Sequence, residues 1–279
     1  MFGAKILADS TNPAGERLTT MELTYPRCIH AEFMTHRMFS RNSASSRAIP
    51  VEKMLKNIMD DPFIPLHWGK NQKGMQAEQE LTPAEQQAAK RNWLLARDQA
   101  VANAEYMREL GLHKQLTNRI VEPWMWITVI ATASEPGWEN FFNLRCDAPA
   151  EPHIREIAFM ARDLYDDNTP NELEWGQDHL PLFGFEGDET LSQEDARKVS
   201  TGRCARVSYR THDGRRDVSE DIGLHDRLAG NNHWSPFEHV ATAMTSGERL
   251  CGNLVGHWIQ YRKRFPTELC SKAPRRPKP

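Results

Sequence analysis

The chain has 279 residues, of which 39% are hydrophobic and 26% are charged, and its formal net charge is −3 at pH 7. These values are typical of an ordinary globular protein with a buried core. The slightly acidic balance argues against bulk binding to nucleic acid, which needs a basic surface. No stretch approaches the roughly 18 consecutive apolar residues of a membrane-spanning helix.

The cysteines are scattered along the chain, at Cys28, Cys146, Cys204, Cys251 and Cys270, and no two form a C-x-x-C pair. This odd and widely spaced set argues against a disulfide framework and against a zinc site, so we expect no metal. The first residues contain neither a long apolar run nor a small-residue cleavage site, unlike a signal peptide. We therefore expect a cytoplasmic protein.

Local patterns predict regular structure in the first half of the chain. Residues 16–25 alternate apolar and polar side chains, which predicts a strand, and residues 27–37 predict a short helix after it. The letters TPAE at 82–85 combine an N-cap threonine, an early proline and a capping-box glutamate. They predict a helix that continues until Gly111 ends it.

The second half contains one ambiguous segment and one clear helix. Residues 121–133, VEPWMWITVIATA, are apolar and partly β-branched, and periodicity does not separate a buried helix from a strand here. Residues 151–165 place apolar side chains on one face and predict a helix. Residues 166–194 are acidic and rich in proline and glycine, which is typical of a linker or excursion.

Near the end of the chain, the letters SPFE at 235–238 have the form of a second capping box. They predict a helix whose free N–H groups would suit an anion. Residues 239–244, HVATAM, predict a short strand, and the basic, proline-rich residues 271–279 are expected to be disordered. A metal site or hydrolytic triad is disfavoured here, because the spacing of the histidines and serine fits neither HExxH nor G-x-S-x-G.

The segment 35–47, THRMFSRNSASSR, concentrates three arginines and four serines. Serine hydroxyls, backbone N–H groups and guanidinium forks are the donors that phosphate oxygens require. Ser43, Ser45, Ser46 and Arg47 would therefore suit a phosphate, although the segment lacks the glycines of a Walker or dinucleotide loop. A solvated loop with a surface arginine cluster is an equally simple interpretation.

Two further segments place polar side chains beside apolar ones. The letters ENFFNLR at 139–145 set Asn140, Asn143 and Arg145 around two phenylalanines, and Arg119 precedes the apolar run at 121–133. Each pattern alone is equally consistent with structural arginines.

Together these motifs resemble the flavin-dependent thymidylate synthases, the ThyX family. The family signature R-H-R, seven residues, then serine and a nearby arginine is matched by Thr35-His36-Arg37, Ser45 and Arg47, with Asn42 inside it. NLR at 143–145 resembles the family's late helix motif. ARVSY at 205–209 and HWSPFEH at 233–239 resemble its flavin-contacting motifs.

The chain also departs from the family pattern. ARVSY and HWSPFEH follow the signature here, whereas they precede it in the family, and a second basic triplet occurs at 262–264. That triplet resembles a degenerate copy of the signature, so either triplet is a candidate for the flavin contact. Thr35 stands where the family has arginine, Glu32 where it has glutamine, and Ser43 where it has glutamate.

The resemblance implies an α+β fold with an antiparallel or mixed sheet flanked by long helices. It implies one catalytic domain over residues 1–270, with the signature and NLR in 1–165, the excursion at 166–194, and ARVSY and PFEH in 195–270. It also implies a homotetramer with sites at subunit interfaces, and it includes no role in binding nucleic acid or membranes.

For activity, the resemblance implies methylation of dUMP at C5 to dTMP, with methylenetetrahydrofolate as one-carbon donor, FAD as cofactor and NADPH as reductant. Modification of another pyrimidine deoxynucleotide such as dCMP, a hydroxymethyl product, and non-catalytic nucleotide binding are the alternatives. Arg145 is the expected catalytic residue, and with Arg119 it is expected to contact the pyrimidine. The other expected substrate-binding residues are Glu32, Ser43, Ser45, Ser46 and Arg47. The expected flavin-binding residues are His36, Arg37, Met38, Asn42, Asn140, Ser208, His233, Ser235 and Glu238.

Overall fold

A computed structural model describes residues 1–207, 217–245 and 254–268. The strands are β1 (Gly3–Thr11), β2 (Arg17–Pro26), β3 (Ser40–Ser43), β4 (Trp126–Ser134), β5 (Asn171–Glu172), β6 (Asp178–His179), β7 (Ala241–Ala243) and β8 (Trp258–Gln260). The α-helices are α1 (His30–Phe33), α2 (Val51–Asp60), α3 (Pro83–Glu109), α4 (Lys114–Thr117), α5 (Glu135–Arg145), α6 (Pro152–Asp167), α7 (Gln193–Arg206) and α8 (Val218–Gly230). The α+β class is confirmed.

The main sheet has the strand order β3-β4-β2-β1-β5. Its pairs are antiparallel except for β5, which runs parallel to β1, so the sheet is mixed as expected. A smaller sheet has the order β6-β7-β8 and is antiparallel. The segment expected to be a linker or excursion therefore supplies one strand to each sheet.

The ambiguous apolar segment forms the central strand β4, because both of its faces are covered. Ile127, Val129, Ala131 and Ala133 face one way and pack with α5 and α6 in the largest apolar core. Ile130 faces the other way, toward Cys204 of α7. A strand buried on both sides has a nearly continuous apolar sequence, and for this reason its periodicity was uninformative.

The second face of the main sheet carries a buried polar chain that joins the two sheets. The Oγ1 atoms of Thr20 on β2 and Thr132 on β4 lie 2.6 Å apart. Thr20 bonds to His179 of β6 over 2.8 Å, and Thr132 bonds to His239 before β7 over 2.8 Å. The four side chains are almost fully buried. Hydrogen bonds offset much of the cost of removing such groups from water. These hydrogen-bonded side chains therefore fix how the two sheets stack.

The long helix α3 begins as the sequence predicts. Thr82 accepts from the backbone N–H of Glu85, and the Glu85 carboxylate accepts from the backbone N–H of Thr82 over 2.9 Å. Ala100, Val101 and Ala104 of this helix pack against α2 in a second apolar core.

The capping box expected at Ser235 is wrong. The segment is a single 3-10 turn, Ser235–Glu238, and its N-cap is Trp234 with no side-chain cap. The Glu238 carboxylate forms an ion pair with Arg262 instead of turning back to the helix start. Buried Phe237 stacks on Tyr261, which draws the chain directly into β7.

A buried ion network joins α7 to the segment before it and to α8. Arg203 forms two hydrogen bonds with Asp188, of 2.6 and 2.8 Å, and one of 3.0 Å with Asp221.

Of the helices in the described ranges, none has the length and apolar character to cross a membrane.

Candidate functional site

The signature loop, residues 34–39 between α1 and β3, packs against α5. The ring of His36 lies edge-on to Phe141 at 5.0 Å, and Phe39 meets Trp138 at 4.6 Å. Arg41 closes the loop from β3, since its Nη1 donates to the carbonyl oxygens of Met34 and His36 at 2.8 and 2.9 Å. The loop is therefore held by aromatic packing on one side and by backbone hydrogen bonds on the other.

A glycine allows this close approach. A Cβ atom at Gly137 would lie 2.8 Å from the Cβ of Ala133 and 3.4 Å from the Cβ of Met38. The first contact is shorter than carbon atoms tolerate, so any side chain would push the loop away from α5. Asn140, one helical turn after Gly137, is exposed.

Arg145 and His36 form the central contact of the candidate site. Nε of Arg145 donates to Nε2 of His36 over 2.9 Å. Burial, together with the positive charges of Arg145 and Arg41, lowers the pKa of His36 to about 4. At neutral pH the ring is therefore uncharged and can accept from a guanidinium group that only donates.

A carboxylate lies beside the same arginine. Nη1 of Arg145 is 3.5 Å from Oε2 of Glu32, and 21% of the arginine side chain is exposed. Thr35 is exposed, and its hydroxyl donates to the carbonyl oxygen of Glu32 over 2.7 Å. Arg37 and Asn143 are also exposed. The structure thus brings together Arg145, His36 and Glu32, with polar side chains at the surface around them.

The serine segment continues from β3 toward α2. Ser43 and Ser45 are half-buried, Ser46 is buried, and Arg47 is exposed. The amide of buried Asn118 donates to the carbonyl oxygens of Ser46 and Ile49 at 2.7 and 2.9 Å. This amide fixes the turn of the serine segment against the segment that carries Arg119.

One carboxylate oxygen connects this turn with two arginines. Oε1 of Glu122 accepts from the hydroxyl of Ser46 over 3.0 Å. The same oxygen lies 3.7 Å from Nη1 of Arg119 and 3.8 Å from Nη2 of Arg27. Arg119 and Ser46 are therefore neighbours, as a shared ligand would require.

The remaining residues expected to bind flavin are less concentrated. Asn42 is buried, and its amide donates to the carbonyl oxygen of Cys204 over 2.8 Å. His233 and Ser235 are exposed, and Glu238 is half-buried. Ser208 lies outside the described residues.

The second basic triplet is engaged in internal contacts. Arg262 pairs with Glu238, Lys263 lies 3.0 Å from Glu268, and Arg264 donates to Thr242 over 2.9 Å. Gln260 of β8, which lies two residues before this triplet, links the PFEH segment to β3, because its amide donates to Ser40 over 2.7 Å and to the carbonyl oxygen of Glu238 over 3.2 Å.

The described cysteines are protonated thiols at neutral pH. Burial raises the pKa of Cys28 to about 11, and it raises the pKa of Cys146 and of Cys204 as well. Within the described ranges, no group of three or more histidine, cysteine or carboxylate side chains could hold a metal ion.

Sequence reasoning missed Arg27, Asn118 and Glu122. The spacing of Arg119 and Glu122 at i, i+3 was the available signal, because residues three apart on a helical turn are neighbours. Arg27 gave no local signal, since it reaches the cluster only through the pairing of β2 with β4.

Residues 12–171 match the family model described as thymidylate synthase complementing protein. None of the curated proteins compared with the chain matches it. Among solved structures, the crystal structure of a UMP/dUMP methylase PolB from Streptomyces cacaoi bound with 5-Br dUMP is similar at 15% identity and a TM-score of 0.43. The match covers 53% of this chain and 65% of that chain, which is less than two thirds of its length. Because the family match covers more than half of the sequence, this chain belongs to the thymidylate synthase complementing protein family.

Proposed function

We propose that the chain is a flavin-dependent transferase that methylates dUMP at C5, using methylenetetrahydrofolate and NADPH and releasing dTMP. Family membership supports the reaction class. The observation that carries the proposal is the contact of Arg145 with neutral His36, which joins the NLR helix to the signature loop. Two motifs that are 109 residues apart in sequence thus form one polar centre.

Arg145 is the residue we assign to catalysis. His36 holds its Nε, and Glu32 lies near its Nη1. These two contacts use Nε and Nη1 of Arg145, and within the described part of the chain they leave its Nη2 available to a ligand. A guanidinium group oriented in this way would stabilise negative charge on the pyrimidine carbonyl oxygens as C5 reacts. No nucleophilic cysteine is required, in agreement with the raised thiol pKa values.

We assign the serine segment to the nucleotide phosphate. Ser45, Ser46 and Arg47 supply hydroxyl and guanidinium donors. Arg119 was expected at the pyrimidine, but it shares the Glu122 carboxylate with Ser46, so we assign it to the phosphate end of the substrate. The half-buried Ser43 would complete the wall of the nucleotide site.

The residues expected to bind flavin fit that cofactor in part. Arg37, Asn140, His233 and Ser235 are exposed donors whose chemistry suits a diphosphate. His36 and Asn42 are buried and Met38 is half-buried, so these three would shape the site, and Glu238 is already paired with Arg262. When bound, flavin would supply the electron-transfer chemistry that amino-acid side chains lack.

We also propose that the protein assembles as a homotetramer with sites between subunits. The dispersed exposed donors support this proposal, because a second copy would have to bring them together. Light scattering of the purified protein measures its mass directly, and a monomer that turns over substrate would contradict a shared site.

A second candidate is modification of dCMP. It is favoured by Glu32, whose carboxylate lies beside Arg145 where the family has a neutral glutamine. A carboxylate can accept a hydrogen bond from the exocyclic amine of cytosine. Uracil has a carbonyl oxygen at that position, which cannot donate to a carboxylate. Transfer of a hydroxymethyl rather than a methyl group is the corresponding variation in product.

The test is to incubate the protein with FAD, NADPH, methylenetetrahydrofolate and either dUMP or dCMP, and to weigh the product by mass spectrometry. A methylated uracil nucleotide supports the main proposal, and a modified cytosine nucleotide supports the second. Nucleotide binding without NADPH oxidation, in a protein that flavin does not turn yellow, would contradict both and indicate a binding module.

A further inference from the structure

The ends of three neighbouring strands supply the Glu122 cluster, which we define as Arg27, Ser46, Arg119 and Glu122. Arg27 follows β2, Ser46 follows β3, and Arg119 and Glu122 precede β4. Pro26 pairs with Trp126 in the sheet, and the backbone N–H of Arg27 donates to the carbonyl oxygen of Met125 over 2.8 Å. The cluster therefore lies at one end of three hydrogen-bonded strands.

The ion contacts in this cluster are long. Arg119 and Arg27 approach Oε1 of Glu122 only to 3.7 and 3.8 Å, beyond ordinary hydrogen-bond length. The hydroxyl of Ser46, at 3.0 Å, makes the hydrogen bond to that oxygen. The two guanidinium groups therefore stabilise Glu122 by charge, without the paired hydrogen bonds that a tight arginine–carboxylate contact makes.

The cluster is also positive and reachable from solvent. It holds two cations and one carboxylate, and 53% of the Arg119 side chain, 26% of that of Arg27 and 22% of that of Glu122 are exposed. A dianionic phosphate would neutralise two guanidinium groups more completely than one carboxylate does, and its oxygens can accept bidentate bonds.

We propose that Glu122 is an internal anion that occupies the phosphate position, and that Arg27 is a third cation of the nucleotide phosphate site. The phosphate monoester of the substrate displaces the carboxylate from Ser46, Arg119 and Arg27. A nucleoside without phosphate does not displace it, so the cluster selects for the phosphorylated substrate. This inference rests on the proposed nucleotide-binding function, although its phosphate part can be tested alone.

The experiment compares wild type with Glu122→Gln and Arg27→Gln. Binding of dUMP, deoxyuridine and inorganic phosphate is measured by titration calorimetry. Because a partly exposed charge pair contributes about 1 kcal/mol, Glu122→Gln should tighten dUMP and phosphate binding by about fivefold. Arg27→Gln should weaken both by a similar factor, and deoxyuridine binding should change in neither variant.

The matched control is Glu52→Gln, which removes an exposed carboxylate paired with Arg108 at 2.7 Å on another part of the surface. It should leave all three affinities unchanged, and thermal melts establish that each variant is folded. Equal dUMP affinity in wild type and Glu122→Gln would overturn the inference while leaving the proposed function intact. Tighter phosphate binding without any dUMP binding would support the inference and contradict the function.

Discussion

Arg145 donates its Nε–H to Nε2 of His36 over 2.9 Å, and this bond requires that Nε2 of the histidine carry no proton. A guanidinium group has no acceptor atoms, so Nε2 must carry a lone pair, and the ring proton sits on Nδ1. Burial of the ring, together with the charge of Arg145, lowers the pKa of His36 and so disfavours a second proton on it. The signature histidine is therefore a neutral hydrogen-bond acceptor for the arginine.

Removal of the guanidinium group should strongly lower kcat without unfolding the protein. Arg145→Ala should lower kcat for nucleotide turnover by about 100-fold or more, the scale expected for the loss of a transition-state donor. Flavin absorption of the purified variant should stay close to that of wild type. The control is Arg162→Ala, since Arg162 is an exposed residue 3.4 Å from Asp166 on α6 and should keep full activity. Equal losses in the two variants would contradict the assignment.

The buried His36 makes stability depend on pH with a definite sign. Its pKa of about 4 in the folded chain is below the ordinary 6.5, so the unfolded chain binds the proton more readily. Its contribution is fully present above pH 6.5 and is lost as pH falls toward 4. This loss lowers the free energy of unfolding by about 2 kcal/mol between pH 7 and pH 5.

Urea unfolding of wild type and His36→Gln at both pH values measures this contribution. Glutamine keeps an acceptor for Arg145 but does not titrate, so the variant should lose less stability on acidification than wild type. Buried His179, whose pKa is also lowered to about 4, remains in both proteins and supplies the common background. Identical pH dependence in the two proteins would show that His36 is not buried in neutral form.

A methyl group at Gly137 should separate the signature loop from α5. Gly137→Ala would force a 2.8 Å contact with Ala133 and a tight one with Met38, and overpacking of this kind costs about 1–3 kcal/mol. The midpoint of thermal unfolding should fall and turnover should fall with it. At Gly230 a Cβ meets nothing within 4 Å, so Gly230→Ala should leave both unchanged.

The Arg203 network should be sensitive to the loss of its cation. Only 5% of the Arg203 side chain is exposed, and those of Asp188 and Asp221 are fully buried. Arg203→Met would leave the buried Asp188 carboxylate without its cation and would remove one of the two arginines that contact Asp221, at a cost of about 3–5 kcal/mol. Denaturant titration measures the loss, with Lys198→Met as the control, since its pair with Glu194 is at the surface. A cost below 1 kcal/mol, the size of a surface pair, would contradict the prediction.

The sequence by itself determined the features that depend on neighbouring residues. The capping box at Thr82 and Glu85 is formed within four residues, and strand β2 follows from its own alternation. The donor chemistry of the serine segment and the family resemblance were likewise legible from the letters. The same local reasoning was wrong at Ser235, because Glu238 forms an ion pair with Arg262, which is 24 residues further along the chain.

Only the tertiary structure decided the rest. The segment that became β4 is apolar on both faces, so its state depended on which elements covered it. The pKa of His36 is lowered because packing buries the ring and α5 brings Arg145 against it, and Glu122 meets Arg27 because β2 and β4 are paired in the sheet. These contacts join residues 95 to 109 positions apart, and chain packing rather than local preference supplies their free energy.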